Sequence, residues 1–178
     1  PSGIEDFKIA NNYYKEKYDN EVRYYVPSNE KPVPEYNNSG KQVTRCYGGN
    51  DIHNLSGAGA WVASVPELMK FVASIDGRPE IPDIISKESF EAMIEYFDEQ
   101  TYSLGWNDTR PDSGWMRSGS FSGTSALIKY FPDGECWIMV TNTSSWRRSS
   151  FSRTISGFFS EMRRSFSSAF PERDFFYE

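Results

Sequence analysis

At 178 residues with a formal net charge of −6 and a pI near 5.0, the chain is long enough to bury a core, and it lacks the basic excess that draws a protein to phosphate backbones. Aromatic residues make up 16% of the sequence and recur along its whole length, which excludes a flexible low-complexity chain and predicts several packed elements in one domain spanning 1–178. No apolar run approaches the roughly 20 residues that cross a bilayer, so no membrane span is expected and nucleic acid is not expected as a partner.

The opening Pro1-Ser2-Gly3 reads like mid-protein sequence, so an upstream portion of the same protein is expected. Glu21-Val22-Arg23-Tyr24-Tyr25-Val26 alternates like a strand and is stopped by Pro27. From Pro27 to Asn50 the sequence is rich in Pro, Asn, Ser and Gly, which predicts an irregular surface excursion. Gly57-Ala58-Gly59-Ala60 is a small-residue run where backbone can approach a neighbour closely. Ser64-Val65-Pro66-Glu67 then carries a capping serine, an early proline and a glutamate at the third helical position. With Leu68, Met69, Phe71, Val72 and Ile75 at helical spacing, it predicts a helix from Val65 to Ile75 that ends near Asp76-Gly77. Ser86 caps a second predicted helix through Tyr96, with Phe90, Met93, Ile94 and Phe97 inward.

Tyr102 to Trp106 and Trp115 to Ser120 read as short strands joined by the turn-rich Asn107 to Gly114. Thr124 to Phe131 and Cys136 to Thr141 form a hairpin around Pro132-Asp133-Gly134, with Trp137-Ile138-Met139-Val140 reading as a central strand. Phe151, Ile155, Phe158, Phe159, Met162 and Phe166 recur at helical spacing. They predict a C-terminal amphipathic helix packed on the sheet through Phe151, Ile155, Phe158 and Met162, followed by an aromatic tail from Phe170 to Glu178. The fold class is therefore α+β, an antiparallel sheet with a packed C-terminal helix.

These segments, in this order, resemble the C-terminal part of the serine β-lactamase, penicillin-binding and esterase-like hydrolase family. The resemblance is carried by Gly57 to Leu68, by Ile84-Ile85-Ser86-Lys87-Glu88-Ser89, by Tyr102-Ser103-Leu104-Gly105-Trp106, and by Arg117-Ser118-Gly119 followed by the hairpin and last helix. It covers roughly residues 21 to 166. It implies a partial β-lactamase/transpeptidase-like fold lacking its N-terminal part, and hydrolysis of an amide or ester through an acyl-serine in the intact protein. The family's Lys/His-Ser/Thr-Gly strand motif maps onto Arg117, Ser118 and Gly119 as substrate-binding residues, and the backbone N–H of Ser120 maps onto half of the oxyanion hole. Arg117 departs from the family pattern: a guanidinium binds a carboxylate bidentately and does not shuttle protons at neutral pH. The resemblance also implies a small-molecule or peptide substrate carrying a carboxylate, no cofactor, and the bacterial periplasm or cell envelope as location.

In the family the nucleophile belongs to an S-x-x-K motif at a helix start, partnered by Y-x-N. Ser28-Asn29-Glu30-Lys31 and Tyr36-Asn37-Asn38 match these letters, but Pro27 and Pro32 bound the first and forbid a helix that would hold lysine against serine, so the isolated chain is expected to be inactive. His53, the only histidine, lies in a polar loop and reads as a surface residue. Cys46 and Cys136 permit one disulfide or, the favoured reading, two unrelated thiols. Asp51, Asp108 and Asp112 fall into no calcium-loop pattern, and no metal is implied. Trp106, Trp115 and Phe121 line a substrate groove or serve as core and rim packing. Two other readings stand beside the enzyme: a non-catalytic ligand- or peptide-binding module on the same fold, and a small α+β interaction domain whose resemblance is structural only; for Arg117 itself the alternative to a substrate-binding role is an exposed strand arginine beside a glycine bulge.

Overall fold

The computed structural model describes residues 3–96, 103–143 and 150–166. Phe97, Tyr102, Arg147-Arg148 and the Phe170 to Glu178 tail lie outside them. The chain is α+β. Among the described residues the strands form three antiparallel sheets: β1 (Lys8–Ile9) with β4 (Trp61–Val62), β2 (Val33–Pro34) with β3 (Gln42–Val43), and a three-stranded sheet ordered β5 (Trp115–Phe121), β6 (Thr124–Tyr130), β7 (Cys136–Thr141).

The helices begin where their caps predict. Ser64 Oγ accepts from the Glu67 N–H at 3.3 Å and opens α1 (Val65–Ala73); Ser86 accepts from the Ser89 N–H at 3.2 Å and opens α2 (Lys87–Ile94). α1 stops before Ile75 because the Ser74 N–H is already shared between the carbonyls of Lys70 and Phe71, a tightening that closes the last turn. α3 (Ser150–Phe166) follows the sheet.

β6, not β7, is the central strand of the main sheet. It pairs on both sides, and alternate residues along it are buried, with Leu127 inaccessible to solvent. The turn after β6 closes with Gly134 N–H on Phe131 O at 2.9 Å and Phe131 N–H on Glu135 O at 2.8 Å. Residues in register share a face: Trp115, Tyr130 and Cys136 on the α1 side; Met116, Lys129 and Trp137 on the α3 side.

On the α1 side, Trp115 stacks on Tyr130 at 4.6 Å between centroids. It also meets Phe90 of α2 at 5.5 Å and Trp106 at 5.8 Å, so Trp106 and Trp115 are core packing and not groove wall. The Tyr130 hydroxyl donates to Asp76 Oδ2 at 2.9 Å, joining the end of α1 to the sheet. The approach of chain to sheet is close at Gly114, where φ is +72° and an added Cβ would lie 2.1 Å from the Tyr130 carbonyl oxygen. On the other side, Phe159 of α3 meets Trp137 at 5.4 Å, and Arg163 pairs with Asp133 and, at 2.5 Å, with Glu135 while lying over Phe131.

Several expectations are corrected. Glu21 to Val26 forms no strand: Tyr25 makes one parallel bridge to Thr143, and the Tyr24 N–H turns away to the Tyr47 hydroxyl at 2.7 Å, so the ladder cannot extend. Residues 103–106 form no strand either, because Gly105 at φ +83° breaks extension; the bridge to β5 is made by Asp108 opposite Met116. Gly57 and Gly59 approach nothing, since an added Cβ at either would meet no atom within 4 Å. α3 packs through Phe151, Ile155, Phe159 and Arg163, whereas Phe158 is 56% exposed and Met162 and Phe166 also face outward. The 27–50 excursion is irregular apart from the β2–β3 hairpin.

Leu127→Ala should cost about 2–5 kcal/mol, read as a lowered urea midpoint with unchanged slope, since the side chain has no solvent contact to relax into. Asp76 supplies a pH signature. Burial raises its pKa above the ordinary 3.8, opposed by the hydrogen bonds from the Arg78 N–H and the Tyr130 hydroxyl. The folded state therefore holds this proton more tightly than the unfolded state. Asp76 favours folding most below 3.8, and that advantage is lost as pH rises through the raised folded value. The stability difference between wild type and Asp76→Asn should shift against wild type over that window, measured by denaturant titration at each pH.

Candidate functional site

The free edge of β5 is built by alternation. The Met116 N–H donates to Asp108 O at 2.9 Å and Met116 O accepts from the Asn107 N–H at 2.8 Å, so the backbone groups of Met116 point away from β6. In an antiparallel ladder every second residue repeats this direction, which turns the N–H and C=O of Ser118 and Ser120 outward as well. Ser118 is taken up locally: its N–H donates to Asn107 Oδ1 at 2.7 Å and its hydroxyl to the same oxygen at 3.4 Å. The outward N–H of Ser120 has no partner among the described residues. It is an unspent donor at a fixed position, the requirement for holding a developing oxyanion or an added strand.

Side chains complete the surface. Trp115, Arg117, Gly119 and Phe121 share the α1 face of β5; Trp115 is covered by the aromatic cluster, while Arg117, Gly119 and Phe121 are exposed beyond it. A Cβ at Gly119 would meet nothing within 4 Å, so a ligand can lie directly on the backbone there. Arg117 forms no ion pair among the described residues and presents its five donors to solvent. Ser120 Oγ points to the opposite face, 3.4 Å from Ser125 Oγ. The four predicted site residues are thus consecutive on one exposed edge, with the guanidinium and the bare backbone of Gly119 on one face and the Ser120 N–H on the rim. Asn107 was not foreseen; within a turn-forming run, an asparagine gives no sign that its side chain will cap a neighbouring strand.

At the far end of β5 the excursion docks on the hairpin tip. Ser122 Oγ donates to Glu30 Oε1 at 2.7 Å, and Gly123 is enclosed by Tyr24 and Cys46, so tightly that an added Cβ would lie 2.8 Å from Tyr24 Cβ. Ser28 is exposed in a turn closed by the Glu30 N–H on Pro27 O at 2.9 Å, and Lys31 is exposed outside any helix. Tyr36 and Asn37 lie in a separate turn with Asn38 at φ +59°. His53 opens a 3-10 turn at the surface, its N–H bound by Asn12 Oδ1 at 3.0 Å.

Both cysteines are free thiols. Burial pushes Cys46 up to about 11 and Cys136 up to about 12, leaving them protonated and unreactive at neutral pH. Among the described residues no group of three or more His, Cys, Asp or Glu could hold a metal ion, and no helix is long and apolar enough to cross a membrane. A cleft of 380 Å³ opens between α1 and the sheet, lined by Met69, Val72, Asp76, Arg78, Tyr130 and Cys136; both carboxylate oxygens of its Asp76 are occupied, by Tyr130 and the Arg78 N–H.

No protein-family model, no curated protein and no solved structure matches the chain, so what can be said of its chemistry rests on these residues.

Proposed function

We propose that the chain is the C-terminal part of a β-lactamase-related serine hydrolase and supplies the carboxylate-binding wall of its active site. The observation that carries this reading is the Arg117-Ser118-Gly119-Ser120 edge: an exposed guanidinium with no ion pair among the described residues, a glycine with open space above it, and an outward Ser120 N–H in the order the family motif requires. In this reading Arg117 holds the substrate carboxylate in a bidentate contact, and Gly119 lets the substrate lie flat on the strand. The N–H of Ser120 shares the charge that develops on the carbonyl oxygen when a serine attacks. That serine comes from an upstream segment of the intact protein, which acylates on an amide or ester and is regenerated by water. A periplasmic or cell-envelope location belongs to the same proposal.

A binding module that keeps the groove without the chemistry is the second reading. It is favoured by one feature, the guanidinium at position 117, which cannot relay a proton. The coding sequence upstream separates the two: an S-x-x-K at a helix start followed by Y-x-N or Y-x-S supports the hydrolase, and their absence supports the module.

The 178-residue chain by itself should take up no label from a fluorophosphonate or a fluorescent penicillin, because Ser28 sits in a proline-bounded turn with no lysine held against it. A mass-shifted peptide containing Ser28 would contradict this. In the intact protein, Arg117→Ala should weaken carboxylate-bearing substrates about tenfold to a hundredfold, corresponding to about 1.5–3 kcal/mol for a charge-assisted bidentate contact, and leave neutral esters nearly unchanged. Equal losses for both substrate classes would remove Arg117 from the site.

A further inference from the structure

The cleft between α1 and the sheet carries two charges that the fold leaves unpaired. Its outer wall is the loop that follows α1, and that loop is pinned. Asp76 Oδ1 accepts from the Arg78 N–H at 3.0 Å across Gly77, which turns at φ +72°; the Gly77 N–H donates to Asp83 Oδ2 at 3.0 Å, and the Ile84 N–H closes the neck on Ser74 O at 2.8 Å. The chain is thereby sent back over the β6–β7 turn. There the Arg78 guanidinium lies against Gly134, where an added Cβ would collide with it, and 5.8 Å from the centroid of the Tyr130 ring. Glu80, two positions on, lines the same cleft, and neither it nor Arg78 makes an ion pair among the described residues. Met69, Val72 and Ile81 give the remaining wall an apolar lining.

We infer that this cleft is a second ligand site, for a free α-amino acid with an apolar side chain. A guanidinium takes a carboxylate through two parallel N–H donors, and a carboxylate takes an ammonium. Opposite charges two residues apart on one loop therefore match the two head groups that an amino acid carries on a single carbon. The ligand's side chain then covers Met69, Val72 and Ile81, while Asp76, its oxygens already taken by Tyr130 and the Arg78 N–H, anchors the loop and binds no ligand. The volume of 380 Å³ stands at the lower end of the roughly 300–1,000 Å³ of small-molecule sites, which suits one amino acid better than a peptide. Because Gly134 and Tyr130 already hold the guanidinium and hydrogen bonds close the loop neck, little freedom is lost on binding. The site uses no residue of the β5 edge and stands whether or not that edge belongs to a hydrolase.

Calorimetric titration of the 178-residue chain with leucine, leucinamide and N-acetylleucine reads each charge separately. Wild type should bind leucine about two- to fivefold more tightly than either analogue, the scale of a partly exposed charge pair, and the contrast should shrink as salt is raised. Arg78→Gln should bind leucine and leucinamide alike while still preferring leucine over N-acetylleucine, and Glu80→Gln should do the reverse; both side chains are exposed, so both variants are expected to fold. Cys136 reports the place. Its thiol lines the cleft, whereas Cys46 lies against Gly123 at the hairpin tip, so leucine should slow alkylation of Cys136 by N-ethylmaleimide more than that of Cys46, read by peptide mass. Failure of wild type to bind leucine, equal binding of leucine and either analogue, or preferences unchanged in the two variants overturns the site. Equal slowing of the two thiols shows leucine acting elsewhere and overturns it as well.

Discussion

The stack of Trp115 on Tyr130, anchored by the Tyr130 hydroxyl on Asp76, is the contact on which the rest of the architecture depends. Five parts of the chain meet there: the end of α1 through Asp76, α2 through Phe90, the preceding loop through Trp106, and β5 and β6 through the two rings. Phe90 also fills the space over Gly77, where an added Cβ would lie 2.4 Å from the ring. Large aromatic rings suit this task, since each buries a wide area at the cost of few rotatable bonds. The tyrosine adds a polar tip that reaches the half-buried carboxylate of Asp76 at the helix end.

That cluster ends at Trp115. Two residues on, the same face of β5 is exposed at Arg117, and exposed again at Gly119. β5 is therefore half core and half surface, rigid at one end because of Trp115 and Tyr130, and pinned at the other by Ser122 on Glu30. An edge strand with free backbone groups invites unwanted pairing. Here the edge is shortened from one side, since Asn107 takes the Ser118 N–H and Asp108 takes that of Met116, and Ser120 is left as the outward donor. Across the sheet, Arg163 binds α3 to the β6–β7 turn through Asp133, Glu135 and the face of Phe131, so the hairpin is held from behind.

Local signals in the sequence determined a good deal. The caps at Ser64 and Ser86, the turn at Pro132-Asp133-Gly134, the strand from Trp115 and the helix around Phe159 were legible because capping, turn chemistry and periodicity act within a few residues. The α+β class and the placing of Arg117, Ser118, Gly119 and Ser120 on one strand follow from the same signals. Only the tertiary structure decided which neighbour each element finds. It made β6 central and β7 an edge, gave the Tyr24 N–H to Tyr47 in place of a ladder, turned Phe158 and Met162 to solvent, and brought Asn107 to Ser118 and Glu30 to the hairpin turn at Ser122. Those outcomes depend on pairings between residues up to 92 positions apart, where burial and hydrogen-bond satisfaction are settled by competition among distant partners and leave no periodic trace in the chain.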